Sequence, residues 1–288
     1  MATCAACFPA MESIRLAAPA KCNLHLEILG RRSDGYHALE TVFQTLDWAD
    51  AVEVRVKPGS GTSVSASDPT LDCGPSNLAR RAVDLLRELW PAPERIHVHL
   101  DKHLPAGGGL GGGSSDAAAV LRAGHRLWPE RYPIDRLLAA AGRLGADVPF
   151  FLLGGTAHGL ERGDRLTLLD DLPRHELTLL LPELSCSTPR VFAALRPDER
   201  ASREAAGATV LARNLAADPL SGSNRLTAAC ARAYPAMGRL FDSLTAAGHA
   251  WLLAGSGSTV ILFGHHPAPA GCRCVHTAFR PRARLDAT

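Results

Sequence analysis

Lysine is scarce in this chain. Lys21, Lys57 and Lys102 are the only lysines among 31 basic residues, and arginine carries positive charge elsewhere. A lysine kept inside a motif therefore points to a task for a compact ammonium rather than a guanidinium fork. Excess charge is lacking too. A formal net charge of +2 over 288 residues gives no basis for a nucleic-acid or anionic-membrane partner. No apolar run approaches the ~20 residues of a membrane span. The first ten residues lack the basic start and long apolar centre of a signal peptide. The expectation is a cytoplasmic protein. Eight cysteines occur, at 4, 7, 22, 73, 186, 230, 272 and 274. The Cys4–Cys7 and Cys272–Cys274 pairs do not have the spacing of a structural zinc site, so free reduced thiols are expected.

What is present is an ordinary soluble composition, 46% hydrophobic and 21% charged, long enough for one large or two medium domains. Alternation over Cys22–Leu29 predicts a strand, and Ser33-Asp34-Gly35 a turn. Further strands are expected at Thr41–Leu46, Ala51–Val56, Ile96–Leu100, Phe150–Leu153, Arg165–Leu169, Glu176–Leu181, Trp251–Leu253, Thr259–Phe263 and Cys272–Phe279. Helical spacing marks 78–89, 117–127, 134–144, 189–195, 225–233 and 237–247. The stretch Glu199–Pro219 reads as a helical or mobile insertion. Strands and helices in blocks favour an α+β fold over a doubly wound sheet.

Pro105–Ser115 is the most informative stretch. It sets six glycines in seven positions, Gly107, Gly108, Gly109, Gly111, Gly112 and Gly113 around Leu110, and ends at Ser114 and Ser115 on a helical pattern. Such a loop feeding a helix N-terminus exposes many N–H groups at the positive end of a dipole, which suits phosphate. The spacing also satisfies G-x-G-x-x-G, yet Asp101-Lys-His-Leu-Pro105 separates it from the preceding strand, unlike a dinucleotide fold. No lysine precedes Ser114, so it is not a Walker loop. Taken singly, Lys21 reads as a surface charge, Asn23 as a turn residue, Asp147 as a loop acid and His37 as structural.

Their joint order is informative. Pro19-Ala-Lys-Cys-Asn-Leu24, Arg32-Ser-Asp-Gly-Tyr-His37, Thr41-Val-Phe-Gln44, Leu104–Ser115, Leu144-Gly-Ala-Asp-Val-Pro149 and Gly255-Ser-Gly257 follow one another over residues 15–265. In this the chain resembles the GHMP kinase superfamily. The Arg-x-Asp-Gly-Tyr-His element resembles the branch that acts on a cytidine-diphosphate-linked methylerythritol. Other branches, acting on mevalonate, homoserine or a sugar, remain rival readings. So do a ligand sensor without turnover and, distantly, a nicotinamide dehydrogenase.

The resemblance implies a two-domain α+β kinase with its active site in the cleft between the domains. A ribosomal-protein-S5-domain-2-like domain is expected over 14–160 and a ferredoxin-like one over 161–288, with 1–13 a disordered extension. It further implies ATP and Mg²⁺ as cofactors, a small-molecule substrate phosphorylated at its C2 hydroxyl, and a monomer or weak homodimer. Lys21 and Asp147 are implied as the catalytic pair. Pro105, Ala106 and the residues through Ser115 would wrap ATP, aided by Asn77 and Lys102. Asn23, Tyr36, His37, Phe43, Phe192, Ser256 and Gly257 would hold the substrate. Ser114 and Asp116 are candidates for Mg²⁺, although the family typically has Asn where Asp116 stands.

Overall fold

The computed structural model describes residues 12–91, 94–200 and 204–285. Two long strands, β1 (Glu12–Arg31) and β2 (His37–Pro58), pair antiparallel across a turn at which Gly35 takes a φ of +86°. β1 begins at Glu12, inside the segment expected to be disordered. Residues 1–11, with Cys4 and Cys7, lie outside the described residues. The register of β1 on β2 slips between Pro19 and Lys21, Asn23 and His25, and Ile28 and Gly30. Such bulges bend a strand and re-aim its side chains. The expected apolar face is real: Cys22, Leu24, Leu26 and Ile28 are all buried.

The first sheet is completed by β3 (Thr62–Ala66), which runs parallel to β4 (Glu94–Asp101), and by β5 (Thr156–Glu161) and β6 (Arg165–Leu168). It has six strands, with β1 off the path β3-β4-β2-β5-β6. Four helices serve this half: α1 (Leu78–Leu89), α2 (Gly112–Leu127), α3 (Ile134–Ala141) and α4 (Val148–Leu153). α4 replaces an expected strand. A short apolar run has no decisive periodicity, and here Pro149 opens a single helical turn whose Phe150 and Phe151 are wholly buried in the core under the sheet. Because β6 pairs with β5, the first sheet ends at Leu168, beyond the expected division at residue 160.

The second half is a four-stranded antiparallel sheet in the order β10-β7-β9-β8. Its elements are β7 (Glu176–Pro182), α5 (Thr188–Ala193), α6 (Ala208–Ala217), α7 (Thr227–Ala233), α8 (Pro235–Ala246), β8 (Trp251–Leu253), β9 (Val260–Phe263) and β10 (Cys272–Ala278). α6 makes the Glu199–Pro219 stretch helical over half its length. A continuous apolar seam joins the halves: Cys22, Leu24 and Leu46 of the long hairpin pack with Leu177, Leu179, Ile261 and Phe279. Burial of such side chains contributes roughly 1.5–3 kcal/mol each, which fixes the two sheets against each other around the cleft they form.

Candidate active site

The cleft has a volume of about 580 Å³. One wall is the glycine loop. Gly107, Gly109 and Gly111 take φ values of +72°, +79° and +74°, a conformation that costs glycine little and other residues much. Close approach adds a second constraint. A Cβ on Gly109 would run into the Ala254 carbonyl, and one on Gly111 would meet the Phe151 ring at 2.8 Å. Gly111 is the N-cap of α2, which starts at Gly112, before the serines. The amides of Gly112, Gly113 and Ser114 thus belong to the first helical turn, where N–H groups have no intrahelical partner. Loop residues Pro105 to Gly109, Gly111 to Gly113 and Ser114 line the cleft. Two members of the run do not. Leu110 is a buried anchor whose carbonyl accepts from the Lys21 N–H at 3.0 Å, and Ser115 is fully buried. Thr259 N–H, donating to Gly108 O at 3.2 Å, pins the loop from the other half.

At the foot of the cleft, Lys21 Nζ lies 3.8 Å from Asp147 Oδ2 and donates to Asn23 Oδ1 at 2.7 Å. Asn23 Nδ2 donates to Thr41 Oγ1, which donates to the His25 carbonyl. Lys21 is 4% exposed, so its ammonium is fixed by partners rather than dispersed in water, and Asp147 is the more open of the pair. Asp147 stands at the N-terminal end of α4 without capping it, leaving its carboxylate for the cleft. Gly255 comes within contact distance of this pair: a Cβ there would lie 3.3 Å from Lys21 Nζ. Asn224 holds that second loop by donating to the carbonyls of Leu253 and Gly255. Asn224 was not singled out from sequence, where Ser-Asn before a helix reads as a cap.

The expected substrate residues separate into three groups. Asn23, Phe192 and Ser256 line the cleft, with Ser256 Oγ bonded to Thr188 Oγ1 at 2.7 Å. His37 and Tyr36 stand at the rim. The His37 ring packs on Phe192 at 5.1 Å, tilted by 34°, and its Nε2 is buried without a partner. Burial, then Arg200 and Arg31, hold the His37 pKa below its usual value, so the ring is neutral near pH 7. Tyr36 is 62% exposed, with the Arg162 guanidinium 5.9 Å from its ring. Phe43 also lines the cleft, at 2% exposure and with one face stacked on Phe150 at 4.8 Å, as the floor under Lys21. Gly257 sets its carbonyl near Gly109, and a Cβ on it would point at Leu253, Cys230 and Cys186.

Asn77 caps α1, accepting from the Ala79 and Arg80 amides while its Nδ2 donates to Asp72 O. It also lines the cleft. Lys102 lines the cleft, and its ammonium has two carboxylate partners. It is bonded to Asp50 and, at 2.6 Å, to Asp116. Asp116 lines the cleft with a side chain only 4% exposed; its Oδ2 holds the Lys102 ammonium, and its Oδ1 is buried without a hydrogen-bond partner. Among the described residues no three metal-ligating side chains converge. Ser114, at the cleft surface, remains compatible with a metal carried by nucleotide phosphates. The six described cysteines are free thiols.

A family model described as GHMP kinases N terminal domain matches residues 77–155. The chain is 36% identical over 258 residues to 4-diphosphocytidyl-2-C-methyl-D-erythritol kinase of Citrifermentans bemidjiense, covering 87% of this chain and 89% of that one. It belongs to this kinase family. The counterpart in Geobacter metallireducens is 37% identical over 253 residues, with 87% and 89% covered. A crystal structure of 4-(cytidine 5'-diphospho)-2C-methyl-D-erythritol kinase superposes with a TM-score of 0.75 at 35% identity, covering 93% of this chain and all of that one. Homoserine kinase from Cytophaga hutchinsonii, at 17% identity and a TM-score of 0.68, shares the fold. This GHMP kinase is therefore an ATP-dependent enzyme of two-domain α+β architecture. No helix among its described residues is long and apolar enough to cross a membrane.

Proposed function

We propose that this kinase transfers the γ-phosphoryl group of ATP to the C2 hydroxyl of 4-diphosphocytidyl-2-C-methyl-D-erythritol, in the non-mevalonate route to isoprenoid precursors. The Lys21–Asp147 contact of 3.8 Å at the foot of a glycine-walled cleft carries the reading. Phosphoryl transfer through a loose transition state needs alignment and charge neutralisation more than covalent help. The amides of the glycine loop and the first turn of α2 receive the phosphates and stabilise charge on the transferring group. Asp147 orients the substrate hydroxyl and takes its proton. Lys21, fixed by Asn23, holds Asp147 and stabilises the incipient alkoxide. Ser114 would offer its hydroxyl to a Mg²⁺ brought by the nucleotide, which would supply charge neutralisation.

The contact between His37 at the rim and Phe192 in the cleft wall supports the cytidyl specificity. His37 and Phe192 present a flat surface and a buried, unpartnered ring nitrogen, which suit stacking on a pyrimidine and one hydrogen bond to its edge. The test is ADP release with the cytidyl substrate, mevalonate and homoserine offered separately. Turnover with the cytidyl substrate is expected to exceed the others by orders of magnitude, and preference for either other alcohol would overturn the assignment. We place the enzyme in the cytoplasm as a monomer or weak homodimer.

A further inference from the structure

Lys102 and the two acids it binds raise a question that the kinase reaction leaves open. Asp50, on β2, is a fully buried carboxylate with no part in the catalytic pair. Its Oδ1 accepts from the N–H groups of His103 at 2.5 Å and Leu104 at 2.8 Å, the residues that lead into the glycine loop. Its Oδ2 binds Lys102 Nζ. The same ammonium reaches Asp116 Oδ2 in α2, beyond the loop's far end. Gly112, where α2 starts, closes on the same point: a Cβ there would stand 3.5 Å from Asp50 Oδ2 and 3.4 Å from Leu104 Cβ.

We propose that Asp50, Lys102 and Asp116 form a buried tie that closes the base of the phosphate loop, and that Asp50 is a positioning residue for nucleotide. The loop must present its amides inward while made mostly of glycine, whose backbone freedom opposes any one shape. Its tip is pinned at Leu110 and Gly108. The tie fixes the two ends, joining the strand-side entry to the helix-side exit through a charge held within β2.

Electrostatics explains the choice of groups. The three side chains are 0%, 13% and 4% exposed for Asp50, Lys102 and Asp116. Two carboxylates beneath a site for a polyanion would repel it, and Lys102 from between offsets one of the two charges. Its charge is thus directed inward, and it serves ATP through the loop rather than as a free counter-ion. Burying such a group without a partner is costly, so the arrangement requires all three members or a balanced subset.

Calorimetric titration of ATP into the full-length enzyme, together with KM for ATP and for the acceptor alcohol, tests the tie. Lys102→Met is expected to weaken ATP binding by about tenfold or more, the scale of one charge-assisted contact. Adding Asp116→Asn should restore affinity to within about threefold of the parent. Asp50→Ala should raise KM for ATP by about tenfold and leave KM for the alcohol unchanged. A double variant no better than Lys102→Met alone would show that Lys102 binds phosphate directly, and would overturn the proposal. Should Lys102→Met not fold, Asp50→Asn decides. A KM for ATP raised about tenfold with the KM for the alcohol unchanged supports the tie, and an unchanged KM for ATP overturns it.

Discussion

Individual residues here owe their behaviour to what surrounds them. Asp147 and Lys21 are an ordinary acid and base until the bulge at Pro19–Lys21 and the turn before α4 set them 3.8 Å apart. Asp147→Asn should lower kcat by about 10²–10⁴-fold, the usual worth of a positioned proton acceptor. ATP binding should persist, because the loop is untouched; titration of nucleotide beside steady-state turnover separates the two. Phe192→Ala should raise KM for the cytidyl substrate by about tenfold, as expected when an aromatic platform for a base is lost. An unchanged KM would move the pyrimidine elsewhere. Both Phe43 and Phe192 line the cleft; Phe43 stacks on Phe150 and Phe192 packs against His37.

Elements depend on chemistry at their ends. α1 begins at Asn77 because the side-chain oxygen satisfies the amides of Ala79 and Arg80. Asn77→Ala should cost about 1 kcal/mol, read as an earlier midpoint in urea unfolding, with the cooperativity of the transition preserved. α2 begins at a left-handed Gly111, where any Cβ would strike Phe151. Gly111→Ala should therefore both destabilise the fold and raise KM for ATP, because the helix start and the phosphate site are one structure. β1, β4, α1, α2 and α8 follow their apolar spacing. β2 joins two expected strands into one, β3 falls where a loop is expected, β5 carries no expected strand, and α4 replaces one. Four apolar residues suit a strand or a buried helical turn alike, and only Pro149 and the packing of two phenylalanines decided it.

At the level of the molecule, burial couples the site to stability. Desolvation pushes the Asp116 carboxyl up to about 7; Lys102 opposes the rise and Asp50 reinforces it. A carboxyl whose folded value lies above its unfolded one stabilises the fold fully at low pH. That contribution falls away as pH rises from about 4 through about 7. Asp116→Asn cannot ionise, so its stability relative to the parent should climb between about pH 5 and pH 8 in chemical denaturation. A constant difference across that range would show that Asp116 is ionised throughout. The apolar seam through Leu46 and Phe279 has the complementary role of holding the halves together. Leu46→Ala should cost about 2–5 kcal/mol and lower both half-domain signals in one transition.

The amino-acid order alone determined the α+β class and the glycine loop as a phosphate cradle. Both rest on local patterns, such as alternation, glycine density and loop-to-helix succession, which chain physics expresses wherever the segment lies. Lys21 and Asp147 became a candidate pair only through the family resemblance of the motif order. Tertiary structure decided which way buried groups face. Lys102 turned inward to Asp50 and Asp116, and Phe43 became a floor. Asp50 gave no signal in the sequence, because an acid in a strand declares its role only through the amides and ammonium that packing brings to it. Desolvation and partner geometry arise from residues distant along the chain, and only the folded molecule sets them.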